Sequence, residues 1–261
     1  MIKKTLTQLL SLFAVTLMLV PAAVTAEETP PALAEMWVLH PKPDHGDEFQ
    51  AAMKEHMAFR SEHGDPRAWQ SYTPVLGDEM NRVAVRFCCI DWADVDAYRE
   101  WSMGTEAVSE HFDEHVGPHV ARAEHYFESI DWGNSHWNED GGPYRVFAVT
   151  EFHVKPDHRA QFNAVLDKMS QIAIDQGWAS DSRSWLWASR IGGSPQTSIV
   201  VPHENYASFD MGEDTFFRFL SEKMGSEDKA AEVFQQFDGA LSGSDFQIWV
   251  HRKDLSMPED G

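Results

Sequence analysis

Residues 40–45 read HPKPDH and residues 153–158 read HVKPDH, so one six-residue pattern returns 113 positions later. The similarity extends past these residues: AEMWVLHPKPDHGDEFQAAM aligns with AVTEFHVKPDHRAQFNAVL, and DWADVDAY aligns with NYASFDM at a shift of 114. Similarity at a fixed period is the sequence signature of repeated structural units. We therefore predict two copies of one unit, residues 33–131 and 144–255, joined by the Gly- and Asn-rich linker 132–143.

The hydrophobic pattern within each copy predicts the order β-α-β-β-α-β. In the first copy, MWVLH has the character of a strand, and apolar residues at helical spacing from Phe49 predict a helix over 47–63. Apolar runs at 67–76 and 82–90 predict two strands, and a continuous second helix reaches Phe112 before the closing strand. The second copy repeats this order over 144–154, 158–176, 182–191, 196–203, 213–238 and 244–252.

This order is that of the ferredoxin-like arrangement, in which helices cover only one face of a four-stranded sheet. The first strands, MWVLH and VFAVTEF, carry apolar residues on both faces, so the face without helices must be covered as well. The fold class that we predict is α+β, with two tandem ferredoxin-like repeats whose sheets pair within one chain. Each Lys-Pro-Asp is expected to end the first strand, where Pro fixes φ and Asp accepts hydrogen bonds from the first amides of the helix.

The first 26 residues have the pattern of an export signal. Lys3 and Lys4 precede an apolar run over 6–20, and small residues end at Ala26 before the acidic stretch EETPPA. We predict that residues 1–26 are a signal peptide, that the mature chain is periplasmic or secreted, and that it does not insert into a membrane after cleavage. No other stretch of the sequence is apolar for long enough to span a bilayer.

The composition excludes some partners. The formal net charge is −21 at pH 7, and such a field repels nucleic acid and anionic membranes. An apolar content of 43% favours a packed core. The two cysteines, Cys88 and Cys89, are adjacent in a predicted strand, where consecutive side chains point to opposite faces. We therefore predict that they do not form a disulfide.

Both copies resemble the antibiotic-biosynthesis-monooxygenase-like (ABM) branch of the dimeric α/β-barrel superfamily. HPKPDHGDEF and HVKPDHRAQF are similar to the strand–turn–helix opening of that family, with Asp where Gly is usual. RVAVRFCCIDWADVDAYREWSMGTEAVSEHFDEHV is also similar to family members, in which a helix carries a Trp and, ten residues later, a His. The resemblance covers most of the chain and implies an intramolecular dimeric α/β-barrel with a pocket between each sheet and its helices.

The resemblance also implies a function, since the family contains cofactor-free oxygenases of polycyclic aromatic compounds. Our leading hypothesis is an exported protein that binds a small hydrophobic or aromatic compound and, if it is a monooxygenase, oxidises it without a cofactor. Under this hypothesis His111 is the base, and Trp101 and Trp37 shape the cavity. The corresponding residues of Trp101 and His111 in the second copy are Thr215 and Gly225, so the first copy is expected to be the active one.

Two alternatives remain open. In one, the first copy binds or degrades heme with His111 as the iron ligand, as in the heme-degrading branch of the family, although Trp37 stands where those relatives have an Asn on the first strand. In the other, the chain is a non-catalytic envelope or stress protein whose duplicated barrel only binds a ligand.

Four further residues are candidate ligand contacts. His40 and His153 end the first strands of the two copies and would form a symmetric pair that lines the pocket. Trp69 and Trp185 lie on the predicted second strands, where aromatic side chains either fill the core or line a ligand cavity. The sequence does not distinguish these two roles.

A metal site is the remaining candidate. His111-Phe-Asp-Glu-His115 matches the H-x-x-E-H pattern of one class of zinc enzymes, but the further carboxylate and the larger domain of such enzymes are missing. We therefore predict no zinc centre. A looser metal contact by His111, His115 and His119 remains open, because a spacing of four residues places them roughly on one helix face.

Overall fold

Eight antiparallel strands close into a barrel in the computed structural model of the chain. The structure describes residues 30–138, 144–210 and 212–258. The chain divides into two units, Met1–Pro30 and Pro31–Gly261, and every described strand and helix belongs to the second unit. The predicted signal peptide, residues 1–26, lies outside the described residues, as do residues 139–143 of the predicted linker.

The strands fall into two groups of four. In chain order they are β1 (Leu33–Pro41), β2 (Gln70–Leu76), β3 (Val83–Ile90), β4 (Val120–Ile130), β5 (Val146–Val154), β6 (Leu186–Ile191), β7 (Thr197–His203) and β8 (Leu241–His251). Around the barrel the order is β1-β3-β2-β8-β5-β7-β6-β4. The first half of the protein (Leu33–Ile130) thus has the order β4-β1-β3-β2, and the second half (Val146–His251) has the order β8-β5-β7-β6. The halves meet at two seams, β2 with β8 and β4 with β6.

Helices cover the outside of the barrel. The α-helices of the described residues are α1 (Gly46–Glu62), α2 (Trp92–Gly104), α3 (Glu106–His111), α4 (Arg159–Asp175), α5 (Phe216–Met224) and α6 (Glu227–Gly239). This architecture confirms the predicted α+β class and is consistent with a dimeric α/β-barrel. Within the described residues, no helix combines the length and the apolar character that crossing a membrane requires.

Side chains of alternate residues in each strand enter two different apolar layers, as period-2 alternation requires. In β1, Leu39 packs with Phe49 and Met53 of α1 in the layer beneath the helices. Met36 and Val38 point the other way, into the barrel interior. Both faces of the sheet are therefore covered, which explains why the first strands read as apolar on both sides.

The repeated Lys-Pro-Asp ends the first strand of each half, as predicted, but its Asp does not cap the helix. The N-cap residues are His45 and His158, and neither makes a side-chain capping bond. Asp44 instead adopts a φ of +63°, in the left-handed region that Asp tolerates better than most residues. The structure therefore corrects the capping role that we expected for Asp.

The repeated lysines have a shared contact that the sequence did not reveal. The ammonium group of Lys42 donates to the carbonyl of Pro118 at 2.6 Å, and that of Lys155 donates to the carbonyl of Gly239 at 2.8 Å. Both acceptors lie shortly before the last strand of their half. The lysine thus fastens the turn after the first strand to the start of the fourth.

Both second helices are broken, whereas we predicted continuous helices. In the second half, Gly225 takes a φ of +67° and Ser226 then caps α6 by accepting from the amide of Lys229. In the first half the helix is interrupted at Thr105, and a π-helical turn follows at Phe112–Val116. A left-handed glycine followed by a serine N-cap is a local stop-and-start signal that the apolar spacing concealed.

The prediction for the cysteines is wrong. Cys88 and Cys89 are joined by a disulfide, and the peptide bond between them is cis. Our argument assumed a trans peptide, for which consecutive Cα atoms are about 3.8 Å apart and the side chains diverge. Here the Cα atoms are 3.0 Å apart and the two sulfur atoms are bonded to each other.

Candidate functional site

Each half contains a cavity between its sheet and its helices, at the place where we expected a pocket. The second-half cavity has a volume of about 920 Å³, and the first-half cavity has a volume of about 240 Å³. Sites that enclose small molecules are usually about 300–1,000 Å³. By volume, the second-half cavity is the candidate ligand site.

The walls of the second-half cavity are mostly aromatic. Its floor is formed by sheet residues and its roof by α4, α5 and α6, with side chains of Phe152, Trp178, Trp185, Trp187, Phe216, Phe234 and Phe237. Phe152 stacks on Trp187 with ring centroids 5.6 Å apart, and Phe237 meets the Phe152 ring edge-on at 5.2 Å. Buried aromatic rings offer a ligand a large apolar surface together with geometric selectivity for other rings.

Polar groups gather at one end of this cavity. Arg183 pairs with the carboxylate of Asp214, and its guanidinium lies 4.2 Å from the ring centroid of Trp178. His203, at the end of β7, also lines the cavity, and burial lowers the pKa of its imidazole. The cavity thus combines an apolar body with a small set of polar groups, the usual design of a ligand site.

The segment between the halves holds two of the tryptophans in place. The indole N–H of Trp185 donates to the carbonyl of Asn134 at 2.7 Å, and the backbone N–H of Trp187 donates to the hydroxyl oxygen of Ser135 at 2.8 Å. Ser135 in turn donates to the carbonyl of Asp131 at 2.6 Å. Residues 131–138, most of which we interpreted as a linker, therefore buttress the wall of the second-half cavity.

The first-half cavity has a polar wall. Arg60 on α1 donates to Asp65 at 2.7 Å and also bonds the phenol oxygen of Tyr98. Trp69 donates to the same phenol oxygen at 3.3 Å, and burial raises the pKa of Tyr98 to about 12. Tyr98 therefore stays protonated at neutral pH, within a network whose members satisfy one another.

Glu35 is the centre of a second polar group in the first-half cavity. Its carboxylate accepts hydrogen bonds from His125 at 2.8 Å, from the indole of Trp37 at 3.3 Å and from Arg67. Burial acts to raise the pKa of Glu35, but the bonds from His125 and Arg67 outweigh it, and the pKa is lowered. Glu35 is thus an ionised, fully engaged carboxylate.

His56 and His111 form a hydrogen-bonded pair whose proton positions follow from Arg60. Arg60 can only donate, so the Nε2 atom of His56, 3.3 Å from Nη1, must accept. The proton of His56 is then on Nδ1 and is donated to Nδ1 of His111 at 3.2 Å. His111 consequently carries its own proton on Nε2.

The tautomer of His111 and the size of the first-half cavity show whether His111 fits the role of a heme ligand. A histidine binds a metal through a nitrogen lone pair and donates the N–H of the other ring nitrogen to an acceptor. In His111 the Nδ1 atom accepts and Nε2 carries the proton, which is the opposite arrangement. His111 does not line the first-half cavity, and a volume of about 240 Å³ is small for a cofactor. The residues of the first half therefore do not fit heme bound through His111.

The loose histidine cluster does not assemble either. The His111 and His115 rings lie 4.3 Å apart, but the Nδ1 atom of His119 is 3.0 Å from Nδ1 of His45 instead. Among the described residues, no group of three or more His, Cys, Asp or Glu side chains is placed to hold a metal ion.

The predicted site residues separate into two sets. Trp37 and Trp69 line the first-half cavity, and Trp185 lines the second-half cavity. His111 does not line the first-half cavity but is hydrogen-bonded to His56, which does, and Trp101 stacks on Tyr98 with centroids 5.2 Å apart without lining it. The geometry does not bring these side chains together in one site.

His40 and His153 line neither cavity, contrary to their expected place in the pocket. The Nε2 atom of His40 lies 3.2 Å from a carboxylate oxygen of Glu124, and that of His153 lies 2.7 Å from one of Asp245. In each half the pair joins the end of the first strand to the fourth strand. The symmetric pair exists, but it links strands.

The sequence interpretation missed several polar residues of the two cavities, among them His56, Arg60, Arg183 and His203. One signal for His56 was available. At the shift of 113 that aligns the two similar segments, His56 corresponds to Met169. An ionisable residue in one segment therefore occupies the position of an apolar residue in the other. His203 ends β7 and Arg183 lies in the loop before β6. Neither belongs to a recognisable motif, and only the fold shows that they line the same cavity.

No family model matches the chain, and no curated protein matches it. Solved structures do match it. A candidate monooxygenase from Lactobacillus acidophilus is 11% identical with a TM-score of 0.53, over 85% of this chain and 94% of that chain. A second candidate monooxygenase, from Fusobacterium nucleatum, is 10% identical with a TM-score of 0.54, over 89% and 97%. A mutant chlorite dismutase from Candidatus Nitrospira defluvii is 10% identical with a TM-score of 0.50, over 87% and 94%.

The likeness is one of fold. These neighbours belong to the dimeric α/β-barrel superfamily, and they match this chain over nearly their whole length. At about 10% identity the likeness shows the fold alone, so function has to be argued from the cavities of this chain.

Proposed function

We propose that the protein binds a small hydrophobic or aromatic compound in the second-half cavity. The observation that carries this proposal is the cavity itself: about 920 Å³, with a wall of stacked and edge-on aromatic rings and a polar end. The first-half cavity, which we expected to be the active one, has about a quarter of that volume and a self-satisfied polar network.

Two of four corresponding helix positions contribute to the difference in volume. The residues of α1 that line the first-half cavity are Met53, His56, Met57 and Arg60, and those of α4 that line the second are Leu166, Met169, Ser170 and Ala173. Each pair is separated by 113 positions. Ser170 and Ala173 leave empty the space that Met57 and Arg60 fill, so the helix wall of the second-half cavity is set back at these two positions and is less polar there.

The same correspondence supports a second part of the proposal, that the two halves are tandem ferredoxin-like repeats of the ABM-like branch. Each half has the same cyclic strand order, and the residues at a shift of 113 line equivalent cavities. The fastening lysines, Lys42 and Lys155, add a third correspondence.

Ligand binding is tested by titrating the protein with naphthalene and following the tryptophan fluorescence. Ser170→Met places the longer side chain of the first half into the second-half cavity, and we expect binding to weaken at least tenfold because the ligand loses its space. The matched control is Gln171→Met, which adds the same side chain on the exposed face of α4. We expect its affinity to equal that of the wild type.

Two outcomes would contradict the proposal. If naphthalene and larger aromatic compounds cause no saturable change in the wild type, the cavity is not a site for this class of ligand. If Ser170→Met and Gln171→Met bind equally well, the ligand binds elsewhere on the protein.

Oxidation of the bound compound stays a prediction. Oxygen consumption with a panel of polycyclic phenols, measured without added cofactor, separates the oxygenase hypothesis from the non-catalytic one. Consumption that Ser170→Met abolishes would place the reaction in the second-half cavity. A flat trace from a protein that binds the same compounds leaves a ligand-binding module.

We also propose that the mature chain is exported, on the basis of the pattern of residues 1–26. The Cys88–Cys89 disulfide is consistent with this, because disulfides persist in periplasmic and secreted compartments. Mass spectrometry of the protein recovered from its native cell fractions tests the proposal. Cytoplasmic protein that retains residues 1–26 would contradict it.

A further inference from the structure

His203 is a titratable group of the second-half cavity whose ring is held by its neighbours. It ends β7, lines the cavity, and stacks on Phe209 with ring centroids 3.9 Å apart and planes inclined by 15°. The stacking fixes the plane of the imidazole, so the direction of its two nitrogen atoms is set before any ligand arrives.

The tautomer of His203 follows from its neighbours. The hydroxyl of Ser208 donates its single proton to the carbonyl of Asn205 at 2.7 Å. Its oxygen must therefore accept from His203, whose Nδ1 atom lies 2.9 Å away. With the proton on Nδ1, the Nε2 atom carries a lone pair, and in the described part of the chain no hydrogen bond engages it.

Asn205 is itself anchored, because its side chain accepts from the backbone N–H of Ala207 at 2.9 Å. The chain Asn205–Ser208–His203 is thus a preorganised support of the kind that orients functional histidines. Because the imidazole of His203 is already oriented, a ligand does not have to order it on binding.

We propose that His203 Nε2 accepts a hydrogen bond from a hydroxyl group on an aromatic ligand, so that the preferred ligands are neutral, hydroxylated aromatic compounds of the phenol type. This inference rests on the proposed function, which it deepens by naming the ligand class. The aromatic wall packs against the ring system of the ligand, and the imidazole accepts a hydrogen bond from its hydroxyl group.

The charges around the cavity favour neutral ligands over anions. The charged residues that line it, from its own loop and from the segments opposite, are Asp181, Arg183, Glu204, Asp210, Asp214 and Asp238. Five are carboxylates, and the one cation among them, Arg183, is already paired with Asp214. An aromatic carboxylate would meet this negative field, whereas a phenol carries its donor without a charge.

Burial lowers the pKa of His203 and outweighs the hydrogen bond with Ser208, which acts to raise it. The ring is therefore neutral at pH 7 and able to accept. Protonation converts Nε2 into a donor, so the preference for a hydroxyl should persist at pH 6.5 and disappear as the pH falls further through the lowered pKa.

The test compares two probes of nearly the same shape, 2-naphthol and 2-methoxynaphthalene, of which only the first can donate. In the wild type at pH 7.5 we expect 2-naphthol to bind about fivefold more tightly, the effect of one neutral hydrogen bond. His203→Phe keeps a ring against Phe209 but removes the acceptor, and we expect the two affinities to become equal. Ser208→Ala frees the imidazole tautomer, and we expect an intermediate ratio.

The outcomes separate this inference from the proposed function. If neither probe binds the wild type, the proposed function fails. If both bind and the ratio of affinities is the same in the wild type, His203→Phe and Ser208→Ala, the cavity is a ligand site but the role of His203 is overturned. If His203→Phe is unfolded by circular dichroism, Ser208→Ala and the pH dependence of the wild-type ratio decide.

Discussion

His56 and Met169 occupy corresponding positions in α1 and α4, and only the first carries a titratable ring. Burial, followed by the charge of Arg60, lowers the pKa of His56 to about 3. The pKa of an unfolded histidine is about 6.5. Between these two pH values His56 binds a proton in the unfolded chain but not in the folded chain. The folded state therefore loses stability as the pH falls from 6.5 toward 3, and above pH 6.5 His56 causes no such loss.

We predict that His56→Met removes this dependence. Below pH 6.5, the unfolding free energy of the wild type should fall relative to that of the variant by up to about 1.4 kcal/mol per pH unit. Chemical denaturation at pH 7.5, 6.0 and 5.0 measures it. If the two proteins lose stability in parallel, His56 is not the buried neutral histidine that the structure describes.

At the scale of elements, the break between α5 and α6 depends on one backbone conformation. Gly225 has a φ of +67°, which costs a residue with a Cβ atom roughly 1–2 kcal/mol. We predict that Gly225→Ala lowers the unfolding free energy by about 1 kcal/mol in thermal or chemical denaturation.

The control for this change is Gly104→Ala. Gly104 ends α2, has no positive φ, and a Cβ atom there would meet nothing within 4 Å. Its unfolding free energy should not fall, because alanine is the better helix former. Equal losses in both variants would mean that the left-handed conformation of Gly225 is not what separates the two helices.

The elements themselves were largely predictable, because period-2 and period-3.6 patterns report which faces are buried. MWVLH and the helix from Phe49 lie where the pattern places them. The patterns could not show the break at Gly225 or the cis peptide at Cys88, since these depend on backbone conformation and not on apolar spacing. Nor could they show that His203 and Arg183 line the same cavity, because tertiary folding alone brings them there.

At the scale of the whole molecule, two groups of four strands in corresponding order form one barrel with two unlike cavities. Two four-stranded groups close on each other at the β2–β8 and β4–β6 seams, so neither keeps an open sheet edge in the described structure. One half then keeps a compact polar network around Arg60, while the other keeps an open aromatic cavity around Trp187. Similar backbones thus hold two chemically different sites.

The central claim is that the second-half cavity is the ligand site, and the most direct measurement is a crystal structure with 6-bromo-2-naphthol, located by the anomalous signal of bromine. We predict one bromine peak inside the cavity lined by Trp187 and Phe237, with the hydroxyl oxygen within about 3 Å of His203 Nε2. A peak in the first-half cavity, or peaks only on the protein surface, would contradict the account.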